Sequence, residues 1–561
     1  MEIRLKPEHN LALERAVFEC QRAYDNMAFL LDREDINEEI CKEKYWDCAL
    51  KQSELDSIQQ EIAQQIVGNN YTLVEFSSDR YNAIIPDGIP LMPEYANYKD
   101  DSVTHMHIFQ DMIAQFYPEK TLRDDADGER ILSQCVTFQV TDKCNLACTY
   151  CYQINKGTRR MKLEDAKLYV DKLLSGEDGF SAYINPIKSP GIVIDFIGGE
   201  PLLEIDLIDQ IVDYFQERAI ALNHPWATLF CISMCSNGVL YDDPRVQRFL
   251  QKHKGHLSFS VTLDGNKELH DACRVFPEGG GSFDLAYHAT TDWMRRGNYM
   301  GSKITISPEN LEYLYEALMF FTGMGYNDIN ANCIYEAEWT VEQGGILYKE
   351  LCRYADYLLA DEKYRYLNFS MFTELCGRPK AETDLENWCG GTGMMLSMDP
   401  DGDLYPCIRY MESSLGGERP PMCIGNVHTG LATCEEHKNC VECLQAIDRR
   451  TQSTDECFYC PIAEGCSWCS AYNYQTFGTA NKRVVKICPM HKGRVLANVY
   501  YWNQFYKKYG IDKHFDLWVP KQWAVPMIGE EEYKKLVTLV EDNGGTINGS
   551  SERIITENKN H

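Results

Sequence analysis

Between Cys135 and Ile334 one pattern recurs six times, a short apolar run followed by an amphipathic segment of helical period. The runs are CVTFQVT, GIVIDFI, LFCISMCS, LSFSVTLD, SKITIS and DINANCI, and segments such as KLEDAKLYVDKLL and LLEIDLIDQIVDYFQERAI separate them. Short apolar runs that alternate with helices are the mark of a parallel sheet with crossover helices. Six units are too few for a closed eight-unit barrel, so the expected fold is α/β with a partial (β/α)6 barrel. Ser307-Pro308-Glu309 offers a helix start, Ser as cap and Pro in the first turn.

A chain of 561 residues exceeds one compact core, and 44% apolar with 25% charged residues is ordinary for a globular protein. Carboxylates outnumber Lys and Arg 84 to 55, a net charge of -29 that disfavours nucleic acid as a partner. No window has the apolar length of a membrane span, and the start MEIRLKPEHN lacks a signal-peptide core, so a cytoplasmic location is expected. In such a chain 24 cysteines point to metal or redox chemistry rather than disulfides.

Residues 8–66 read as two helices with a break near Asp32 to Asp35, because Leu11, Ala16, Val17 and Phe18, and later Ile58, Ile62 and Ile66, recur at helical spacing. Strand-like runs follow at 71–76 and 82–86, then a helical stretch at 107–117 and an Asp-rich linker at 118–129. A helical segment is expected at 340–361. From Cys389 to Cys488 periodicity fades, Cys, Gly and Pro rise, and ligands more than an apolar core are expected to hold the chain. A helix near 492–507 and a polar, disordered tail close the sequence.

The loop after the first run reads Cys144-Asn-Leu-Ala-Cys148-Thr-Tyr150-Cys151. Three thiolates can hold three corners of a four-iron cluster and leave one iron open to a ligand. The second run leads into Gly198-Gly199-Glu200-Pro201, the third ends in Ser236-Asn237-Gly238, and the fourth in Thr262-Leu263-Asp264-Gly265, followed by His270, Asp271 and Arg274. In this order the motifs resemble those of radical S-adenosylmethionine (SAM) enzymes. The resemblance implies that Cys144, Cys148 and Cys151 hold a [4Fe-4S] cluster, and that Tyr150, Gly198, Gly199, Glu200, Pro201, Ser236, Asn237, Thr262, Asp264 and Arg274 surround SAM. Thr262 stands where relatives commonly have Ser. The structural alternative is a zinc knuckle or buried thiols.

Eleven of the cysteines fall between Cys389 and Cys488. Cys389, Gly402 with four residues to Cys407, Cys457-x-x-Cys460, Cys466, Cys469 and Cys488 resemble the SPASM extension of radical SAM enzymes, with two residues before Cys469 where relatives usually have three. By that resemblance Cys457, Cys460, Cys466 and Cys488 hold an outer [4Fe-4S] cluster, and Cys389, Cys407 and Cys469 an inner one. Cys423, Cys440 or Cys443 would supply its fourth ligand, unless a substrate thiolate does. The competing reading is a zinc site of Cys440, Cys443, Cys457 and Cys460.

The resulting partition is an N-terminal helical region at 1–129 for peptide recognition or oligomerisation, a radical SAM partial barrel at 130–340 and a helical bridge at 341–388. A SPASM domain at 389–490, a helical region at 491–540 and the tail at 541–561 complete it. The resemblance implies a maturase that crosslinks Cys thioethers in a ribosomal precursor peptide carrying a leader, with a flavodoxin- or ferredoxin-type reductant. The same motifs allow carbon–carbon or ether crosslinks, or residue oxidation as in sulfatase-maturing enzymes. A scaffold with zinc or clusters but no radical activity is the non-catalytic alternative.

Overall fold

The computed structural model describes residues 3–5, 11–20, 22–23, 38–67, 71–75, 82–86, 121–123 and 133–548, the last span without 188, 297, 299, 303, 327, 361–366, 387–388 and 416–418. The helical stretch expected at 107–117 and the break near Asp32 lie outside the described residues. Strands β1 (Gln134–Thr141), β2 (Ile192–Gly198), β3 (Phe230–Ser236) and β4 (Leu257–Val261) form one parallel ladder in that order. β5 (Ile304–Ile306) and β6 (Ala331–Cys333) pair parallel with each other. All six expected runs are therefore strands in a mixed α/β fold with a parallel-sheet core.

Alternation along the strands sorts the side chains. Ile192, Ile194 and Phe196 of β2, like Val136, Phe138 and Val140 of β1, enter the main apolar core beneath helices α1 (Leu163–Ser175) and α2 (Ile205–Ala221). The opposite, inner face is polar. Register sets Thr137, Asp195, Ser233 and Ser258 side by side across four strands. Helix α3 (Pro244–Lys252) starts on an Asp243 cap with Pro in its first turn, and α4 (Phe283–Arg295) follows β4.

The helix expected from Ser307 begins later. The Asn310 side chain accepts from Ser307 N at 2.8 Å and donates to Thr305 O at 2.9 Å, a local closure that competes with helix, so α5 runs over Leu314–Gly323 after a 3-10 turn.

The cysteine-rich stretch departs further from expectation. After α6 (Val341–Ala360), strand β7 (Met395–Met398) pairs parallel with the free edge of β1. Antiparallel β8 (Asp403–Tyr405), β9 (Gly425–Asn426) and β10 (Gly430–Leu431) extend it to an eight-stranded sheet. Leu396, Met398, Leu404, Ile424, Val427, Leu431, Ile462 and Ile487 join the main core. Apolar packing therefore anchors this region, which the faded periodicity concealed.

Helix α7 (Glu435–Gln445) follows, and α8 (Cys488–Tyr509) packs on α6. In the N-terminal region Tyr71–Glu75 pairs with Asn82–Pro86, and Thr121–Arg123, inside the stretch read as linker, pairs with Ile3–Leu5. At the other end, residues 541–548 belong to the fold: Asp542 closes the last helix and Ile547 bridges Leu517. Among the described residues no helix is long and apolar enough to cross a membrane.

Candidate functional site

A register shift between Gln139 and Thr141 turns β1 out of the ladder just before the Cys144 loop. The loop is held by backbone bonds: Ala147 N donates to Val275 O at 2.8 Å, Thr149 N to Cys273 O at 3.0 Å and Glu200 N to Lys143 O at 2.8 Å. Gly199 makes the approach of the two loops feasible, since a Cβ there would lie 2.2 Å from Lys143 O and 2.7 Å from Cys144 N.

Cys144, Cys148 and Cys151 are free, half-buried thiols on one loop. Burial pushes the Cys144 and Cys148 thiols up, while Lys156 opposes the shift at both and Arg274 opposes it at Cys148. Iron would be bound by thiolates, and these two cations offset part of the charge.

The strand ends supply a polar floor. Glu200, fully buried, accepts from Ser236 Oγ at 2.7 Å, Asn237 N at 2.9 Å and Leu202 N at 3.1 Å, tying the end of β2 to that of β3. Asn237 Nδ2 donates to Asn145 Oδ1 at 2.7 Å, which brings that floor onto the cysteine loop. Thr262 N donates to Ser236 O, and its hydroxyl meets Cys235 Sγ at 3.1 Å.

Asp264 is the second junction. Its Oδ2 accepts from Tyr150 Oη and, at 2.8 Å, from Arg274 Nε, while the Arg274 guanidinium lies 5.3 Å from the Tyr150 ring centroid. Its Oδ1 is buried without a partner, an acceptor left for a ligand donor. His270, wholly buried against Ser282 Oγ, is pushed down to about 4 by burial and stays neutral. Pro201 and Gly198 shape the turn that presents Glu200.

In the cysteine-rich region two sets of thiols lie near one another. Cys457, Cys466 and Cys488 lie within electrostatic reach of Cys460, and burial pushes Cys460 and Cys488 up to about 11. Arg483 donates to Cys466 Sγ at 3.0 Å. Cys389 and Cys469 lie within reach of the buried Cys407. A Cβ on Gly391 would lie 3.2 Å from Cys407 Sγ and 3.0 Å from Ser470 Oγ, so the glycine leaves a cradle beside this trio.

Cys423 instead donates to Gly425 O at 3.1 Å near Asp403 and Asp399. Cys440 and Cys443 keep company with Cys434 on α7, not with Cys457 and Cys460. The zinc quartet is thus not brought together. Among the described residues the set of donors converging within 4.8 Å is Asp209, Asp213 and His253, and there Lys252 already pairs with both carboxylates.

No family model matches the chain. It is 26% identical over 287 residues to the mycofactocin maturase MftC of Mycolicibacterium smegmatis, covering 49% of this chain and 64% of that one. It is 21% identical over 397 residues to the radical SAM cyclopropyl synthase TigE of Paramaledivibacter caminithermalis, covering 65% and 72%. The chain is similar to radical SAM maturases. A structure of native anSMEcpe with bound AdoMet and a Cp18Cys peptide aligns with a TM-score of 0.48 at 16% identity, covering 67% of this chain and 99% of that one. Against these radical SAM relatives the chain spans about two thirds of each curated sequence.

Two features around the parallel strands escaped sequence reasoning. On the inner face, Asp195 and the exposed Cys235 both lie within electrostatic reach of Tyr152, next to Cys151. Period-two alternation within β2 and β3 would have marked both as inward-facing. The second is a clamp in which Arg159 pairs with Asp142 at 2.7 Å, Asp399 at 3.2 Å and Asp401 at 2.8 Å, joining the cysteine loop to the β7–β8 turn. Nothing in the sequence links positions so far apart.

Proposed function

We propose that this chain is a radical SAM peptide maturase that forms thioether crosslinks in a Cys-rich ribosomal precursor peptide. The observation that carries the reading is the orphaned Asp264 Oδ1 beside the Cys144–Cys151 loop, at the strand ends where Glu200, Ser236 and Asn237 also meet. Bound SAM and the reduced cluster of Cys144, Cys148 and Cys151 would supply a 5'-deoxyadenosyl radical that removes one hydrogen from a peptide carbon.

The protein's part is positional. Asp264 and Arg274 offer an acceptor and a cation to the polar groups of SAM, Gly198 and Gly199 let the Thr141–Cys144 backbone close in on the strand end, and the Glu200 junction fixes both strand ends. Arg409, stacked 5.4 Å from the Tyr152 ring centroid and in reach of Cys407 and Cys469, lies between the end of the Cys144–Cys151 loop and the inner cysteine trio. We propose two auxiliary clusters, one of which accepts the second electron as the peptide thiol loses its proton and bonds to the carbon. Each crosslink then removes two hydrogens.

Protein reconstituted without oxygen should bind about twelve irons, falling to about eight when Cys144, Cys148 and Cys151 are changed to Ala. About four irons with stoichiometric zinc would remove the auxiliary clusters from the reading. Co-expression with a candidate precursor should lower the peptide mass by two hydrogens per crosslink, and an unchanged mass despite SAM cleavage counts against that pairing.

A further inference from the structure

Among the described residues no fourth thiol joins the inner trio: Cys423 Sγ donates to Gly425 O, and Cys440 lies by Cys443 and Cys434. What faces the trio instead is a pair of buried hydroxyls. Ser470, wholly buried, has its Oγ 3.1 Å from Cys389 Sγ. Tyr410, also wholly buried, has Cys407, Cys389 and Cys469 within electrostatic reach of its hydroxyl, with Ser470 close by.

These groups converge on one place. A Cβ built on Gly391 would touch Ser470 Oγ at 3.0 Å, Cys407 Sγ at 3.2 Å and Tyr410 Cε2, the ring carbon next to the hydroxyl-bearing one, at 3.5 Å. Ser470 is a side-chain hydrogen-bond partner within reach of the Tyr410 hydroxyl, yet the contact falls short of normal geometry, so the O–H lacks a well-formed acceptor. A buried O–H without an acceptor costs roughly 1–3 kcal/mol, so such groups are rare unless a ligand completes them. The acceptor type at hand is sulfur, and it becomes a strong acceptor once the thiols are thiolates on iron.

Resting on the reading that this trio holds a four-iron cluster, we infer that Tyr410 donates its hydroxyl proton to a sulfur of that inner cluster. The phenol stays protonated and is not an iron ligand. A hydrogen bond to a cluster sulfur stabilises the added negative charge of the reduced state, so it shifts the reduction potential upward. Tyr410 thereby tunes the inner cluster as an electron acceptor, a positioning and electrostatic role rather than a catalytic one.

The test uses the full chain carrying Cys144→Ala, Cys148→Ala and Cys151→Ala, reconstituted without oxygen so that only auxiliary clusters remain. The inner signal is the one that a further Cys389→Ala change removes. In Tyr410→Phe, iron and sulfide should stay at about eight each. The inner signal of the Tyr410 protein should carry one exchangeable-proton coupling that disappears in D2O, and Tyr410→Phe should lack that coupling and show a lower midpoint potential. An unchanged coupling and midpoint overturns the inference, and so does selective loss of one iron, which would make Tyr410 a ligand. If the Tyr410 protein itself binds only about four irons and Cys389→Ala removes no signal, the inner-cluster reading fails first and takes the inference with it.

Discussion

Replacing Gly199 by Ala tests how tightly the Gly198–Pro201 turn locks the cysteine loop. The added Cβ would sit 2.2 Å from Lys143 O, 2.4 Å from Lys143 C and 2.7 Å from Cys144 N, where ordinary contact begins at 3.4 Å. All three atoms are backbone, so no side chain can swing aside. Retreat of the turn is opposed as well, because Gly199 N donates to Thr141 O at 3.0 Å and Glu200 N to Lys143 O at 2.8 Å. The two loops must part by about 1 Å, at an overpacking cost of about 1–3 kcal/mol. A displacement of that size beside a reacting centre lowers turnover on the order of 100-fold. The assay is 5'-deoxyadenosine formed per loaded cluster, with thermal unfolding alongside. Gly323→Ala is the control, since its Cβ meets nothing within 4 Å. Cleavage within twofold of wild type at full iron load in Gly199→Ala would refute the reasoning.

Glu200→Gln sets an amide N–H2 against a site built from three donors, Ser236 Oγ, Asn237 N and Leu202 N, and should weaken SAM binding at least about tenfold by calorimetry. Burial pushes Asp399 up to about 6 despite Arg159, so the folded chain holds a proton there that the unfolded chain releases near pH 4. That contribution is complete below pH 4 and lost as pH rises through 6. The stability of wild type relative to Asp399→Asn should therefore fall by roughly 2 kcal/mol between pH 4 and 7.5, and a flat difference in unfolding free energy would sink the assignment. Arg449→Ala strips donors from Ala381 O, Asp384 O and Phe458 O and the stacked cation from Phe458, which lies between Cys457 and Cys460. A loss of about 3 kcal/mol in stability with depletion of outer-site iron is expected, with Lys at this position restoring only part of it.

The six parallel strands were legible because each apolar run is bounded by helical segments long enough to cross back over the sheet. The division of Cys457, Cys460, Cys466 and Cys488 from Cys389, Cys407 and Cys469 came from the SPASM resemblance, since spacing alone also allowed a Cys440, Cys443, Cys457 and Cys460 quartet. β7 was not legible, since Met395–Met398 is four residues wedged between Gly390–Gly393 and Asp399–Gly402, too short for any period to register. Ser307 misled because capping chemistry is local, and Asn310 three residues on claimed the same backbone groups. Asp264 was picked out by its motif, whereas its bonds to Tyr150 and Arg274 and its spare oxygen depend on three loops meeting in space.

The pairing of β7 with β1 bears on how the chain comes to be made. β1 is synthesised early and finds β2 within the next sixty or so residues, but the neighbour on its other edge, where Met395 meets Cys135, emerges only after nearly half of the chain has followed. Until then that edge is an open template of unpaired amides. Non-local closure of this kind is slow, and it makes a truncated barrel prone to edge-to-edge association. The segment that seals the edge lies between Cys389 and Cys407, so the approach of these two thiols and completion of the sheet fall to the same stretch of nascent chain.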